Sequence, residues 1–282
     1  MVGAEHVVVI GIDGLSPDGV RKAGKPHLDA LMKEGAFTLH ARGVMPTSSS
    51  PNWASMIMGA GPEQHGVTSN DWETNKFEIP PTSLGSGGIF PTIFGVLREQ
   101  RQDAIIACFY DWQGFGRLVE RQALDVIEHV KDAIETASHA SKYIKETKPH
   151  FTFIHFDGVD HAGHGFGWTS PQYYRAVELA DSLIGALLDS IKEAGLAEKT
   201  IVLVTSDHGG IGTKHGNATI VELEIPWIIH GPGVDRGKEI KSPVNTYDTA
   251  ATLAHIFGLK APDCWIAKPV LEAFQAPSSS GR

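Results

Sequence analysis

The run Val7-Val8-Val9-Ile10-Gly11-Ile12 has no polar side chain at any position and stops at Asp13-Gly14. A strand that is apolar on both faces must be covered on both faces, which excludes a half-solvated hairpin and points to a parallel sheet flanked by helices. The rest of the chain keeps that rhythm. Pro26 opens a helical segment with Leu28, Leu31 and Met32 on one face and Gly35 as its stop. A second helix is expected to start in the cluster Thr47-Ser48-Ser49-Ser50, with Ser50 as its cap and Pro51 in its first turn. Apolar spacing then predicts helices over 93–99, 130–146, 173–194 and 247–257, and strands over 104–110, 151–156, 201–205 and 225–229. The expected fold is α/β, with a mainly parallel central sheet and helices on both faces. No repeat or long linker divides the chain, so residues 1–275 read as a single domain. The stretch 79–91 reads as a surface insert and 276–282 as a flexible tail.

Composition narrows the function classes. The 282 residues, 41 % of them hydrophobic, suffice for one large core, and no apolar run approaches the ~20 residues of a membrane span. A net charge of -9 leaves no basic face for tight nucleic-acid binding. The start Met1-Val2-Gly3-Ala4-Glu5 carries no export signal, although a trimmed extracytoplasmic protein would begin the same way. Cys108 and Cys264 stand far apart and form no CxxC pair. Histidine is the unusual count at 14, and neutral imidazole is the commonest transition-metal ligand.

Where those histidines fall is informative. Four segments carry metal-type side chains at a strand end or a loop start: Asp13-Gly14, Asp160-His161-Ala162-Gly163-His164, Asp207-His208-Gly209 and His215-Gly216. Each alone is an ordinary turn signature. Together, at the carboxyl ends of parallel strands, they share one rim. Mixed carboxylate and imidazole donors suit zinc, with manganese as the alternative. Asp13, Asp160, His164, Asp207, His208 and His215 are enough for two divalent ions at three ligands each. His6, His27, His40, His129, His139 and His255 read as surface or core residues.

The stretches VVVIGIDGLS, MPTSSSPNWASMIMGAGPEQHGVTSN, DGVDHAGHGFG and VTSDHGGIGTKHG, with IPWIIHGPGV after the last, carry a wider resemblance. The chain resembles the type I phosphodiesterase/nucleotide pyrophosphatase branch of the alkaline phosphatase superfamily from residue 7 to residue 234. The resemblance implies an alkaline-phosphatase-like catalytic domain over 1–275 that hydrolyses a small phosphate ester or nucleotide. It implies one ion at Asp13, Asp207 and His208 and the other at Asp160, His164 and His215. It also implies Ser49, between Pro46 and Asn52, as the nucleophile of a covalent phospho- or nucleotidyl-serine intermediate, and Asn52 as a hydrogen-bond donor to a phosphoryl oxygen. Asn70 matches an asparagine that follows the family's His-Gly and is a candidate substrate contact.

The segment supports Ser49 independently, because a hydroxyl at a helix amino end has backbone N–H groups and the helix dipole to steady an anion beside it. The family usually carries threonine as nucleophile and histidine after the asparagine, where this chain has Ser49 and Trp53. Trp53, Trp72, Phe166 and Trp168 are candidates for stacking on the ester's organic group. His215 follows Asp207 by only eight positions, so the large substrate-binding insert of many nucleotide pyrophosphatases is missing. A phosphomonoesterase is the nearest rival, and no basic residue stands in the nucleophile segment to grip a doubly charged phosphate. The sulfatase segment Cys/Ser-x-Pro-x-Arg is lacking. A rival of another class is a metal-stabilised binding protein without turnover.

Overall fold

The computed structural model describes residues 3–276, so the expected tail beyond Ala276 lies outside it. In chain order the elements are β1 (His6–Ile12), α1 (Pro17–Lys22), α2 (Pro26–Glu34), β2 (Ala36–Arg42), α3 (Ser49–Met58), α4 (Pro62–His65), α5 (Ile93–Gln100) and β3 (Ile106–Tyr110). They continue as β4 (Val126–His129), α6 (Ala133–Thr147), β5 (Phe151–Phe156), α7 (Gly158–Phe166) and α8 (Pro171–Glu193). The last are β6 (Thr200–Thr205), α9 (Ile220–Leu223), β7 (Glu224–His230), β8 (Lys238–Glu239) and α10 (Asp248–Phe257). No helix among the described residues is long and apolar enough to cross a membrane.

One sheet runs β4-β3-β5-β1-β6-β7-β2-β8. Every pairing is parallel except those of β7, which runs antiparallel to both β6 and β2. Strand β1 shows why the sheet is covered twice. Val7 and Val9 join one apolar cluster, with α3, α5 and α10, while Val8, Ile10 and Ile12 join the other, with α1, α2, α6 and α8. The central trio β5-β1-β6 therefore releases its carboxyl ends side by side, next to α3.

Three local features differ from expectation. β2 and β4 were not foreseen: β2 alternates buried and partly exposed positions from Ala36 to Arg42, starts directly after Gly35 and mixes in Thr38 and His40, which blurs the apolar period. The segment from Asp160 to His164 is helix α7 and not a loop, which places the two residues one turn apart on one face. Helix α3 begins at Ser49 with Ser48 as its cap residue, so Ser50 lies inside the first turn. The cap comes from another loop, since Asn70 Oδ1 accepts the Ser50 N–H at 2.8 Å. Cys108, buried in β3, and the half-buried Cys264 are both free.

Candidate active site

Asp13 leaves β1, Asp157 and Asp160 follow β5, and Asp207 and His208 follow β6. Their close approach depends on Gly14, whose φ is +69° and whose N–H donates to Asp207 Oδ1 at 3.1 Å. A Cβ there would stand 2.9 Å from Asp160 Cα and 3.0 Å from Asp160 Oδ1, so only glycine lets the two strand ends meet.

The six metal-type residues fall into two triads. One donor atom from each of Asp13, Asp207 and His208 lies within 4.8 Å of the others, and the same holds for Asp160, His164 and His215. In the first, His208 Nε2 is 3.4 Å from Asp13 Oδ1 and 3.2 Å from Asp207 Oδ2. In the second, Asp160 lies 3.3 Å from His164 Nε2 and 3.8 Å from His215 Nε2. The triads adjoin, with the His208 and His215 rings stacked at 3.8 Å between centroids.

Two observations test whether these groups suit cations. All three histidines turn Nδ1 to a backbone carbonyl: His208 to Gly209, His215 to Thr47 and His164 to Thr213, at 2.8, 2.8 and 2.9 Å. A nitrogen facing a carbonyl must carry the proton, so each Nε2 keeps a bare lone pair pointed into its triad. The carboxylates match. Asp13 Oδ2 is anchored by Trp53 Nε1 at 2.9 Å and by His155, and Asp207 Oδ1 by Gly14, yet Asp13 Oδ1, Asp207 Oδ2 and Asp160 Oδ1 are buried without any donor. Orphaned anionic oxygens beside orphaned lone pairs fit divalent metal ions.

Electrostatics agree. Burial, then the neighbouring charges of Asp13 and Asp157, push Asp160 up to about 9, and burial with the Asp13 charge pushes Asp207 well above the usual carboxylate range. Burial and the Asp13 charge raise Asp157 to about 6, and burial lowers His208 to about 4. Burial would raise Asp13 too, but the His155 hydrogen bond and the charges of His208 and His155 outweigh it and hold Asp13 low.

This sets an expectation for protein stripped by a chelator. Asp160 keeps its proton in the folded state up to about 9 but ionises near 3.8 when unfolded, so across that interval the folded state binds more protons and rising pH costs stability. Burial would lower His155, but the hydrogen bonds it donates to the Asp111 and Asp13 carboxylates raise it to about 10, and its unfolded value is 6.5. It therefore acts with the same sign above 6.5, where His208, already neutral in both states, no longer opposes it. Thermal denaturation of metal-free protein should show Tm falling from pH 6.5 to 9, and added zinc or manganese should remove the slope. A metal-free Tm that climbs over that interval would contradict the assignment.

Ser49 is the first residue of α3, almost wholly buried, with Oγ 3.3 Å from His208 Nε2. The other expected contacts divide. Asn52 is buried, its Oδ1 accepting from Val44 N at 2.6 Å and its Nδ2 facing the carbonyls of Val44, Pro46 and Ser48. That amide is consumed in shaping the loop before Ser49, which corrects the phosphoryl contact expected of it. Trp53 is likewise no stacking platform. It sits on the inner face of α3 between Phe115, Phe153 and His155, in room left by Gly11, where a Cβ would lie 2.5 Å from the indole. Trp72 and Trp168 are buried, and Trp168 Nε1 donates to Gly14 O at 2.9 Å, so of the four aromatics Phe166 alone is exposed. Asn70 is exposed, tied by Oδ1 to the helix end that carries Ser49, and its backbone carbonyl accepts from Arg117 at 2.8 Å.

Sequence reasoning missed the support behind Asp13. His155 lies fully buried in β5, 3.4 Å from Asp13 and 3.3 Å from Asp111, whose Oδ1 also accepts the Asp157 N–H. The available signal was a histidine inside a strand otherwise apolar but for Thr152, two residues before an aspartate.

A central parallel trio delivering two carboxylate–imidazole triads to one rim, beside a hydroxyl at a helix amino end, defines the alkaline-phosphatase-like class of α/β folds. The model of the type I phosphodiesterase/nucleotide pyrophosphatase family matches residues 7–88 and 97–224, and the chain belongs to that family. It is 26 % identical over 221 residues to the mouse protein bis(5'-adenosyl)-triphosphatase enpp4, covering 73 % of this chain and 47 % of that protein. It is 27 % identical over 284 residues to GPI ethanolamine phosphate transferase 1 of Yarrowia lipolytica, covering 89 % of this chain and 30 % of the other. The chain thus spans less than half the length of these two curated relatives. Human ectonucleotide pyrophosphatase/phosphodiesterase 5 shares the fold at a TM-score of 0.80 and 15 % identity, over 96 % of this chain and 100 % of that structure.

Proposed function

We propose that the chain is a two-metal phosphoesterase that hydrolyses phosphodiester or nucleotide pyrophosphate bonds through a covalent intermediate on Ser49. The observation that carries the reading is the Ser49 hydroxyl at the amino end of α3, 3.3 Å from the imidazole of the first triad. Asp13, Asp207 and His208 would hold one divalent ion and Asp160, His164 and His215 the other, with zinc favoured and manganese the alternative. When bound, the ions supply positive charge that draws electron density from phosphorus and loosens the proton of a nearby hydroxyl.

The chain's own groups do the rest. Ser49 Oγ forms a bond to phosphorus as the bond to the leaving oxygen breaks, and its proton passes to solvent. The amino end of α3 steadies charge on the phosphoryl oxygens. The carboxamide of Asn70, fixed at Oδ1, leaves its NH₂ for a phosphoryl oxygen. Water then attacks the phosphoserine and restores the hydroxyl.

Between Gly43 and Met58 there is no lysine or arginine, so the nucleophile segment offers a neutral surface that suits a singly charged phosphodiester better than a dianion. The names of the relatives, a triphosphatase of a bis-adenosyl nucleotide among them, support a nucleotide as one substrate. The metal-stabilised binding protein is disfavoured because such a protein needs no buried hydroxyl beside the first triad. With zinc or manganese, kcat/KM for bis(p-nitrophenyl) phosphate should exceed that for p-nitrophenyl phosphate by ~10-fold or more, an expectation consistent with one well-placed interaction. The reverse preference would assign the chain to phosphomonoesterases, and no turnover of either ester would favour the binding protein.

A further inference from the structure

We infer that Thr47 is a positioning residue that locks the loop of His215 to the loop of Ser49, so that one brace serves both the nucleophile and the second triad. The inference rests on the two-metal reading given above. Thr47 is fully buried two positions before Ser49 and touches none of the reacting groups. Its carbonyl accepts the Nδ1–H of His215 at 2.8 Å, its Oγ1 accepts the Gly216 N–H at 3.1 Å, and the same hydroxyl donates to the Asn217 carbonyl at 2.9 Å. Three consecutive residues of one loop are therefore docked on a single residue of the other.

The loop needs that anchor. Residues 211–214 and 217–218 are exposed, and Gly216 adopts a φ of +105°, a conformation that the local sequence does not enforce. A second anchor stands behind it: the buried Glu222 carboxylate accepts from Asn217 N at 3.3 Å, from Asn217 Nδ2 at 3.0 Å and from Thr219 Oγ1. Glu222 holds Asn217, Asn217 holds Thr47, and Thr47 orients the His215 ring while fixing the approach to Ser49. Whatever orders His215 thus orders the nucleophile loop, and linkage makes the effect reciprocal.

The side chain must donate and accept at once. Valine has the same shape and does neither, leaving the Gly216 N–H without its partner and the Asn217 carbonyl with the Thr219 N–H alone. Serine retains both bonds.

The test compares wild type, Thr47→Val, Thr47→Ser and Glu222→Gln by zinc competition against a chelator, hydrogen exchange at the Gly216 amide, and diester turnover. Thr47→Val should bind one ion normally and the second ~10–100-fold more weakly, the range seen when a group supporting a metal ligand is removed. Its Gly216 amide should exchange faster, its lost turnover should return with excess metal, and Thr47→Ser should restore all three. Glu222→Gln should shift them in the same direction by a smaller factor, and it decides the matter if Thr47→Val does not fold. Wild-type affinity for both ions with unchanged Gly216 exchange in both variants would overturn the brace. A wild-type protein that holds no ion would overturn the two-metal reading instead, and Gly216 exchange would still judge Thr47 alone.

Discussion

Ser49→Ala should retain both ions and lose ~10³-fold or more in diester turnover, within the range found when a nucleophile is deleted. The serine contributes no atom to either triad, and its Oγ bonds only to His208 Nε2, so removing it leaves all six metal-type side chains in place. Ser49→Thr should stay active, because it presents the same hydroxyl at the same helix end. The neighbours provide the control: Ser48 is the cap residue and Ser50 directs its N–H to Asn70. If Ser49→Ala kept wild-type turnover while Ser48→Ala or Ser50→Ala were dead, the nucleophile would be misassigned by one position. Activity in all three would mean direct attack by water.

Asp207→Asn should separate function from stability with opposite signs. Asp207 is fully buried, burial and the Asp13 charge favour its protonated form, and its Oδ2 has no donor. An asparagine keeps the acceptor for the Gly14 N–H and places an NH₂ near His208 Nε2, where Asp207 Oδ2 now lies 3.2 Å away. The metal-free variant should therefore melt several degrees higher than metal-free wild type at pH 8, since an amide removes the cost of keeping this buried group protonated at a pH where it ionises when unfolded. The same change should remove the first ion, abolish its contribution to Tm and lower turnover by ~10²–10³-fold, as for loss of one strong electrostatic group in an active site. Calorimetry with chelator and with zinc reads both effects. A variant that is destabilised without metal, yet still binds two ions, would refute the assignment of Asp207.

The sequence made the central strands and the long helices legible because their apolar periods are long and uninterrupted: β5 matches its expected span residue for residue, and α8 differs by two positions at its start and one at its end. What it hid were features decided by tertiary packing. β2 has too many polar residues to advertise its period, and α7 carries three glycines that argue against a helix until β5 and α8 fix its place. The two triads were legible because their residues sit in short motifs. The roles of Asn52 and Trp53 were not, since adjacency in sequence to a nucleophile does not reveal which face of α3 a side chain occupies. His155 and Thr47 escaped for a related reason, in that each acts through partners more than 40 or 160 positions away.

The position of β1 has a consequence for how the protein is made. His6 lies opposite Thr200 and Val7 opposite Phe151, so β1, translated long before β5 and β6, waits for both before either of its edges is paired. The first triad's carboxylates, Asp13 and Asp207, belong to opposite ends of that wait, and His215 comes later still. A nascent chain stopped short of residue 215 lacks a member of the second triad, and such long-range closure is slow because loop entropy must be overcome before any contact rewards it. During synthesis the apolar β1 is thus an unpaired, sticky edge, and binding by a chaperone at that stage would protect the segment on which the rim carrying both triads is later assembled.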